Sequence, residues 1–511
     1  FDDYQAPDTL PVFKQVCELI WGRMFYGFNP NECLPKHGPG QTAERVTGNK
    51  KYTHLNWNER IEPLFPFTEH LFVNLNQVDD EMHGLEKVVM LGEDEELPVK
   101  VALVPKTLKG PRIIAMEPVC MQYVQQAIAT YVIEAIQTSE ITGGHINFTD
   151  QTINQRLALS SSVTKRLATL DLSDASDRVP LSTVEDMLQS VPLLRDAILA
   201  CRSRTARLPN SDIIVSLRKF ASMGSALCFP IEAMYFFSVI ITALIVEQKV
   251  PVTLKAINKV ARDVYVYGDD IVVPTDKVQS VLDHLAQFHC KVNVQKSFWG
   301  GNFRESCGVD AFAGEKITPI YLRKLIPEDG GDAQAIISVI STSNQLYKRA
   351  YWHTAQFLKS SIEQLIGELP IVTDNCPGLG WESFQTSLIE LSWVNKDHRF
   401  EIEAIDTSMT QEDGKWTKVK HKTTIKSKVP AIVPRGYRWN RKLCRLEILT
   451  YVATIDYRPD EVDGYPALLK VLLGKARNPE MDECLPSDKL HLERSPRSGT
   501  VKLKRRWTTA Y

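Results

Sequence analysis

Tyr267-Gly268-Asp269-Asp270 places two adjacent carboxylates between two short β-branched runs, residues 264–266 and 271–273. The pattern predicts a hairpin, with glycine tolerating the turn backbone and the carboxylates riding at its tip. Buried about 4 Å apart, two carboxylates repel by roughly 4 kcal/mol at an effective dielectric near 20. Either one keeps its proton or a cation compensates. A divalent metal is the best candidate, because Mg²⁺ favours carboxylate oxygens and phosphate-bearing substrates. Taken alone, a Gly-Asp-Asp is more often an ordinary acid-rich surface turn.

The elements around it change that balance. Residues 166–177 read as a buried strand running into a cluster of acids and hydroxyls, with Thr169, Asp171 and Ser173 on one face and Leu170 and Leu172 on the other. Asp171 would be a third carboxylate, completing an oxygen cage for two ions roughly 3.5–4 Å apart. Ser222-Met223-Gly224-Ser225 precedes an apolar run at residues 233–246. A small-residue loop opening a buried helix lets a flat base and its ribose approach closely. After the hairpin, Val278, Val281, Leu282, Leu285 and Phe288 recur at helical spacing, with Thr275 as N-cap. Residues 291–296 then read as a strand ending in Lys296.

This succession resembles the motif series of a polymerase palm. Its wording is narrower still: Asp171-Leu172-Ser173-Asp174-Ala175-Ser176-Asp177, Ser222-Met223-Gly224, Tyr267-Gly268-Asp269-Asp270 and Phe303-Arg304-Glu305-Ser306-Cys307-Gly308 resemble the RNA-directed RNA polymerase of positive-strand RNA bacteriophages, the levivirus replicase β subunit. Val104-Pro105-Lys106 through Arg112 to Met116-Glu117-Pro118, and Asp150-Gln151-Thr152-Ile153-Asn154-Gln155, match ahead of the palm. The likeness spans about residues 100–325.

The resemblance implies an α+β right-hand polymerase with fingers, a palm of antiparallel sheet backed by helices, and a thumb. Fingers would occupy residues 1–165 and a returning piece at 182–218. The palm would take 166–181 and 219–325, and the thumb and C-terminal region 326–511. It implies nucleotidyl transfer with two Mg²⁺ or Mn²⁺ ions on Asp171, Asp269 and Asp270, aided by the backbone carbonyl of Leu172. Lys296 would protonate departing pyrophosphate, a plain surface lysine being the rival reading. Ser176 or Asp177 would meet the ribose 2′-hydroxyl, with Ser222, Gly224 and Ser225 shaping the nucleotide site. Polymerases of this type carry an asparagine or threonine in the second motif, where this chain has Ser225 and Cys228. Arg304 and Glu305 would position the primer strand, or form an ordinary ion pair. By the same resemblance, host elongation factors Tu and Ts and a ribosomal RNA-binding protein would complete the enzyme in the cytoplasm of an infected bacterium.

Composition agrees with a large globular chain. It has 511 residues, 43% hydrophobic and 24% charged, enough for two to four subdomains. A net charge of −2 leaves any nucleic-acid signal to local patches. Ten cysteines without a Cys-x-x-Cys pair argue for reduced thiols rather than a zinc ribbon or disulfide framework. The N-terminal stretch holds Asp2, Asp3 and Asp8 and lacks a secretory pattern, and because the chain opens on Phe1 a preceding segment is expected. Residues 233–246 are too short a run to span a membrane, which needs about 20.

Local charge is more telling. Lys100, Lys106, Lys109 and Arg112 form a basic strip without one acid, suited to a nucleotide triphosphate or a template backbone, or else simply solvated. Residues 415–445 hold eleven Lys and Arg, no acid, and Trp416, Tyr437 and Trp439 interleaved. With Arg435, Arg438 and Trp439 at its core, that segment would track single-stranded template or nascent RNA, or face a protein partner. Lys502 to Trp507 is expected as a mobile basic tail, and residues 79–96 as an exposed acidic insertion. A reverse transcriptase and a catalytically inert RNA-binding protein are the competing functions. The first usually carries a bulky residue where this chain's sugar gate is small, and the second has no use for three metal carboxylates.

Overall fold

Leu167–Ser173 carries Leu167, Ala168, Leu170 and Leu172 into the interior and is one of the two inner strands of a four-stranded antiparallel sheet. Asp270–Pro274 lies on one side of it, followed by Tyr265–Tyr267; Lys291–Val292 pairs on the other. This computed structural model describes residues 6–384 except 39, 73–82, 108–109, 210 and 374–375, and then 401–412, 415–426, 437–440, 442–443, 445–456 and 500–509. Described residues up to Pro319 form one unit and those from Ile320 another. Helices and sheets mix throughout, an α+β arrangement.

Behind the sheet runs the helix Cys228–Gln248, apolar on every side and buried from Cys228 to Ile245 except at Phe229. It is longer than the expected 233–246, because Pro230 is tolerated in its first turn and Glu232 is accommodated inside. Its 21 residues are long and apolar enough to cross a membrane by length and composition, yet 89% of the apolar window is buried inside the protein. A helix hydrophobic all round belongs in a core. Its polar groups are satisfied internally: Trp21 Nε1 donates to Ser238 Oγ at 2.8 Å, and Tyr235 Oη to the Phe288 carbonyl at 2.6 Å. One continuous core joins it to Leu10–Cys17, Val119–Thr138 and Val278–Gln287.

Val278–Gln287 forms as its spacing predicts, but Thr275 does not cap it. A short 3₁₀ turn, Thr275–Lys277, intervenes, and Thr275 Oγ1 is buried without a hydrogen bond. The expected 291–296 strand also breaks early. Only Lys291–Val292 pairs, and Val294–Lys296 turns into a 3₁₀ helix.

A second sheet orders Gly110–Met116, Val99–Thr107, Thr205–Arg207 and Ile214–Ser216, so residues 205–216 return to pair with the strand at residues 99–107. A third joins Phe303–Ser306, Val309–Phe312 and Glu315–Lys316, packed against the helix Thr152–Thr164. Of the acidic insertion, the described part is not wholly exposed. Glu96 pairs with Arg60 at 2.8 Å, both side chains less than a tenth exposed. Every described cysteine is buried and unbridged.

In the second unit, Ala333–Lys348 and Trp352–Ile366 pack through Ile336, Val339, Ile340, Leu358 and Ile362. The expected mobile tail is instead a strand. Thr500–Thr509 pairs residue for residue with 447–456, and Tyr437–Asn440 pairs on the far side of Arg445–Asp456. Pairing along one side satisfies alternate backbone groups that a loose tail would leave to water.

Candidate active site

The turn Gly268-Asp269 closes the hairpin between Tyr267 and Asp270. Gly268 has φ +59°, and a Cβ there would sit 2.3 Å from the Phe229 ring, so both backbone and space require glycine. Asp269 is left exposed at the tip. Asp270 begins the next strand directly opposite Asp171, which brings these two carboxylates to one face of the sheet.

Each is held by a different neighbour. Asn293 Nδ2 donates to Asp171 Oδ2 at 2.9 Å, and its backbone N–H to the Asp171 carbonyl at 2.8 Å. The Asp171 N–H in turn donates to Ser297 Oγ at 3.1 Å. Asp270 Oδ1 accepts the Cys307 N–H at 3.1 Å and Ser306 Oγ at 3.3 Å. Cys307 and Gly308 both adopt positive φ, and that tight turn aims the N–H. From the helix Thr152–Thr164, Asn154 donates to the Asp270 carbonyl at 3.3 Å and Gln155 to the Cys307 carbonyl at 3.1 Å.

Burial pushes the Asp270 carboxyl up to about 6, against the Cys307 hydrogen bond and with the charges of Asp269 and Asp171 adding to it. A fourth acid lies beneath. Burial, then the Asp269 charge, pushes Glu232 up to about 8, while the Cys228 thiol opposes and Asp177 adds. Glu305 is raised by burial, opposed by Lys296, with Asp310, Asp171 and Asp270 contributing. Among the described residues, no three His, Cys, Asp or Glu side chains stand close enough to enclose an ion as they are. The expected closed cage is therefore open here, because Asp171 and Asp270 are tethered while Asp269 stays at the exposed tip. In kind the donors fit a hard divalent cation: three carboxylates whose mutual repulsion a cation would relieve.

The loop at residues 222–225 is fixed by contacts that local sequence does not announce. Gly224 has φ +129°, and a Cβ would fall 2.0 Å from the Ala115 carbonyl oxygen, so the loop lies against the strand Gly110–Met116. Ala115 N–H donates to the Met223 carbonyl at 2.8 Å. Ser225 Oγ and the Ala226 N–H both donate to Gln125 Oε1, at 3.0 and 3.2 Å.

A family model described as RNA replicase, beta-chain, matches residues 94–354. The chain belongs to the RNA replicase beta-chain family. This replicase chain is 34% identical over 253 residues to the RNA-directed RNA polymerase subunit beta of Qbeta virus strain MX1, covering 49% of this chain and 39% of that one. To the RNA-directed RNA polymerase beta chain of Escherichia phage MS2 it is 32% identical over 224 residues, 44% of this chain and 37% of the other. It thus matches less than two fifths of either relative's length. A solved RNA-dependent RNA polymerase of a human picorbirnavirus, an insertion-loop deletion mutant, shares 14% identity over 52% of this chain and 57% of its own, with a TM-score of 0.36. That level of likeness carries no argument.

The replicase site gathers Asp171 and Asp270 on one sheet face, with Asp269 adjacent and Lys296 and Glu305 in electrostatic reach of one another. Leu172 pairs with Val292, its side chain buried. Ser176 is buried. Asp177 forms an ion pair with Lys219. Ser222 is buried at the loop's start. Arg112 is exposed on its strand, whereas Lys109, the Lys106 side chain, Arg435 and the Trp439 side chain lie outside the described residues. Arg304 departs from the expected strand-gripping role. It is fully buried, and its guanidinium donates to five backbone carbonyls, those of Leu167, Trp299, Gly300, Gly301 and Phe303, within 3.4 Å.

Sequence reasoning missed Asn293, Ser297, Gln125, Glu232 and the Cys307 N–H. Two carried a signal: Gln125 and Glu232 each interrupt an apolar helix. Asn293→Ala should slow nucleotide addition about 10–100-fold and raise the Mg²⁺ requirement, as removing the groups that support metal ligands does. An unchanged Mg²⁺ dependence would show that Asn293 does not orient Asp171. Glu232 has a pH signature. Its raised value means that its contribution to stability is present below about 4.5 and lost as pH rises through about 8. In EDTA, Glu232→Gln should therefore gain on the native chain at pH 9 by on the order of a few kcal/mol and match it at pH 5. Parallel melting curves at the two pH values would contradict this.

Proposed function

We propose that the chain is the catalytic part of an RNA-directed RNA polymerase that copies a positive-strand RNA phage genome in the cytoplasm of its bacterial host. The observation carrying this is Asp171 directly opposite Asp270, with Asp269 in the adjoining turn, in a replicase-family chain. Residues 166–181 and 219–325 would act as palm, 1–165 and 182–218 as fingers, and 326–511 as thumb and C-terminal region.

Asp171, Asp269 and Asp270, with the Leu172 carbonyl, would hold two Mg²⁺ or Mn²⁺ ions. Bound there, the metals would supply charge stabilisation for the attacking and leaving oxygens. A primer 3′-hydroxyl attacks the α-phosphorus, a new P–O bond forms and pyrophosphate departs. Asn293 and the Ser306-Cys307 turn keep two of the three carboxylates oriented, so little reorganisation accompanies the reaction. Lys296, drawn toward Glu305, is suited to protonate the pyrophosphate. Asp177, set by Lys219, and Ser176 would read the ribose, and the Gln125-anchored Ser222–Ser225 loop would seat the base. Lys106, Lys109 and Arg112 would take the triphosphate. Host elongation factors Tu and Ts and a ribosomal RNA-binding protein are the proposed partners, beside single-stranded RNA and ribonucleoside triphosphates.

The test is extension of primed single-stranded RNA by the purified chain, alone and in host extract, with ribo- or deoxyribonucleotides. Template-dependent ribonucleotide addition supports the reading. Preferred deoxyribonucleotide addition, or none under either condition by a folded chain, overturns it.

A further inference from the structure

Ser225 and Cys228, the polar residues of the second motif, are engaged with other partners. Ser225 Oγ donates to Gln125 Oε1 at 3.0 Å and accepts the Leu227 N–H at 3.3 Å. Cys228 Sγ donates to Glu232 Oε2 at 3.8 Å. Asp177 meets a cation instead: the Lys219 ammonium pairs with its Oδ1, the lysine side chain mostly buried and the carboxylate about half exposed. The backbone that carries Lys219 is held twice. Phe220 N–H donates to the Val179 carbonyl at 2.8 Å and Leu181 N–H to the Arg218 carbonyl at 3.2 Å, tying residues 218–220 to the stretch that follows Asp177. The buried Arg202 guanidinium donates to the Leu217, Lys219 and Phe220 carbonyls at 2.6, 2.8 and 2.6 Å. The charges of Lys219 and Asp177 both reach the Cys228 thiol, and Asp177 and Asp269 both reach Glu232, so the pair stands beside the acids of the hairpin. A half-exposed ion pair adds little to stability, and the anchoring of Lys219 calls for another account.

We propose that Lys219 is a specificity-determining residue of the polymerase, reading the ribose 2′-hydroxyl together with Asp177. A hydroxyl both donates and accepts, whereas a carboxylate only accepts and an ammonium only donates. Side by side the two complement it: Asp177 accepts the hydroxyl's hydrogen bond and Lys219 donates to its oxygen. A deoxyribose satisfies neither, and a site built to bond a hydroxyl rejects the analogue lacking it far more strongly than shape alone does. The ribose at Asp177 rests on the polymerase reading, and the part given to Lys219 goes beyond it.

The experiment measures single additions of CTP and of dCTP to an RNA primer–template by the full chain, alone and in host extract. It compares the native chain with Lys219→Gln, Lys219→Met, Asp177→Asn and the double variant Lys219→Gln, Asp177→Asn, each checked by melting. The native chain should prefer CTP by kcat/KM. Each lysine variant should lower that preference about tenfold, through a higher KM for CTP more than a lower kcat. Asp177→Asn should lower it too, and the double variant should be no less selective than Asp177→Asn alone, because groups that act on one hydroxyl are coupled. A preference kept by both lysine variants but lost in Asp177→Asn overturns the role of Lys219 and leaves the ribose reading standing. A preference kept by every variant overturns both. Equal losses with CTP and dCTP, or effects that simply multiply in the double variant, overturn the role as well, since the lysine would then act on structure alone or apart from Asp177. Lys219→Gln keeps a polar group at this mostly buried position and decides the matter if Lys219→Met melts early. No addition of either nucleotide by the folded native chain overturns the polymerase reading, and this role with it.

Discussion

Replacing Asp269 or Asp171 by asparagine should abolish nucleotide addition, by at least about 10³-fold, while RNA affinity stays within a factor of two or so. Asparagine keeps the shape and removes the charge, so the fold survives. What is lost is an anionic ligand at the point where transition-state charge develops, and a loss of that kind is worth several kcal/mol. Asp270→Asn should be milder. One of its oxygens already accepts the Cys307 N–H and the Ser306 hydroxyl, so less of the carboxylate is free to hold an ion. Single-turnover addition to a preformed primer-template, with filter binding in parallel, separates the two effects. Near-normal turnover by Asp269→Asn would remove the carboxylates from the chemistry.

Arg304→Met should destabilise the first unit by about 3–5 kcal/mol and leave RNA affinity per folded molecule unchanged. The guanidinium joins the strand Leu167–Ser173 to the loop and hairpin at residues 299–303 through backbone carbonyls alone. Removing it strands several buried acceptors, each costing about 1–3 kcal/mol. Because Leu167 heads the strand that carries Asp171, activity should fall with temperature earlier than in the native chain. Thermal melting with RNA titration below the transition decides the matter. A native melting point combined with weakened RNA binding would return Arg304 to the surface role its sequence neighbourhood suggested.

The Gly268-Asp269-Asp270 hairpin and its partner strand were legible because their signals are local: β-branched runs, a glycine where φ must be positive, and an alternating strand before an acid cluster. The supporting groups were not. Asn293 ends the strand at residues 291–292 early because it turns to hold Asp171, a partner 122 residues away. Cys307 acts through its backbone, which no residue type betrays. Thr500–Thr509 looked like a tail because its ordering depends on a strand some fifty residues upstream, and its alternation of Val501, Leu503 and Trp507 with cations is short and broken at Arg505. Arg304 sits in a polar hairpin motif, so its burial follows only from the tertiary placement of Leu167 and Gly300. Glu232 was masked by apolar neighbours, although an acid inside such a helix is itself a signal of function or of a raised pKa.

That Asp171, Asp269 and Asp270 form one divalent-metal centre is tested most directly by Mn²⁺ titration of the full chain, followed by electron paramagnetic resonance, with RNA primer-template and a ribonucleotide present. The native chain should show tight Mn²⁺ binding that Asp171→Asn and Asp269→Asn each lose and that Mg²⁺ displaces. Unaltered Mn²⁺ stoichiometry and affinity in both variants would contradict it.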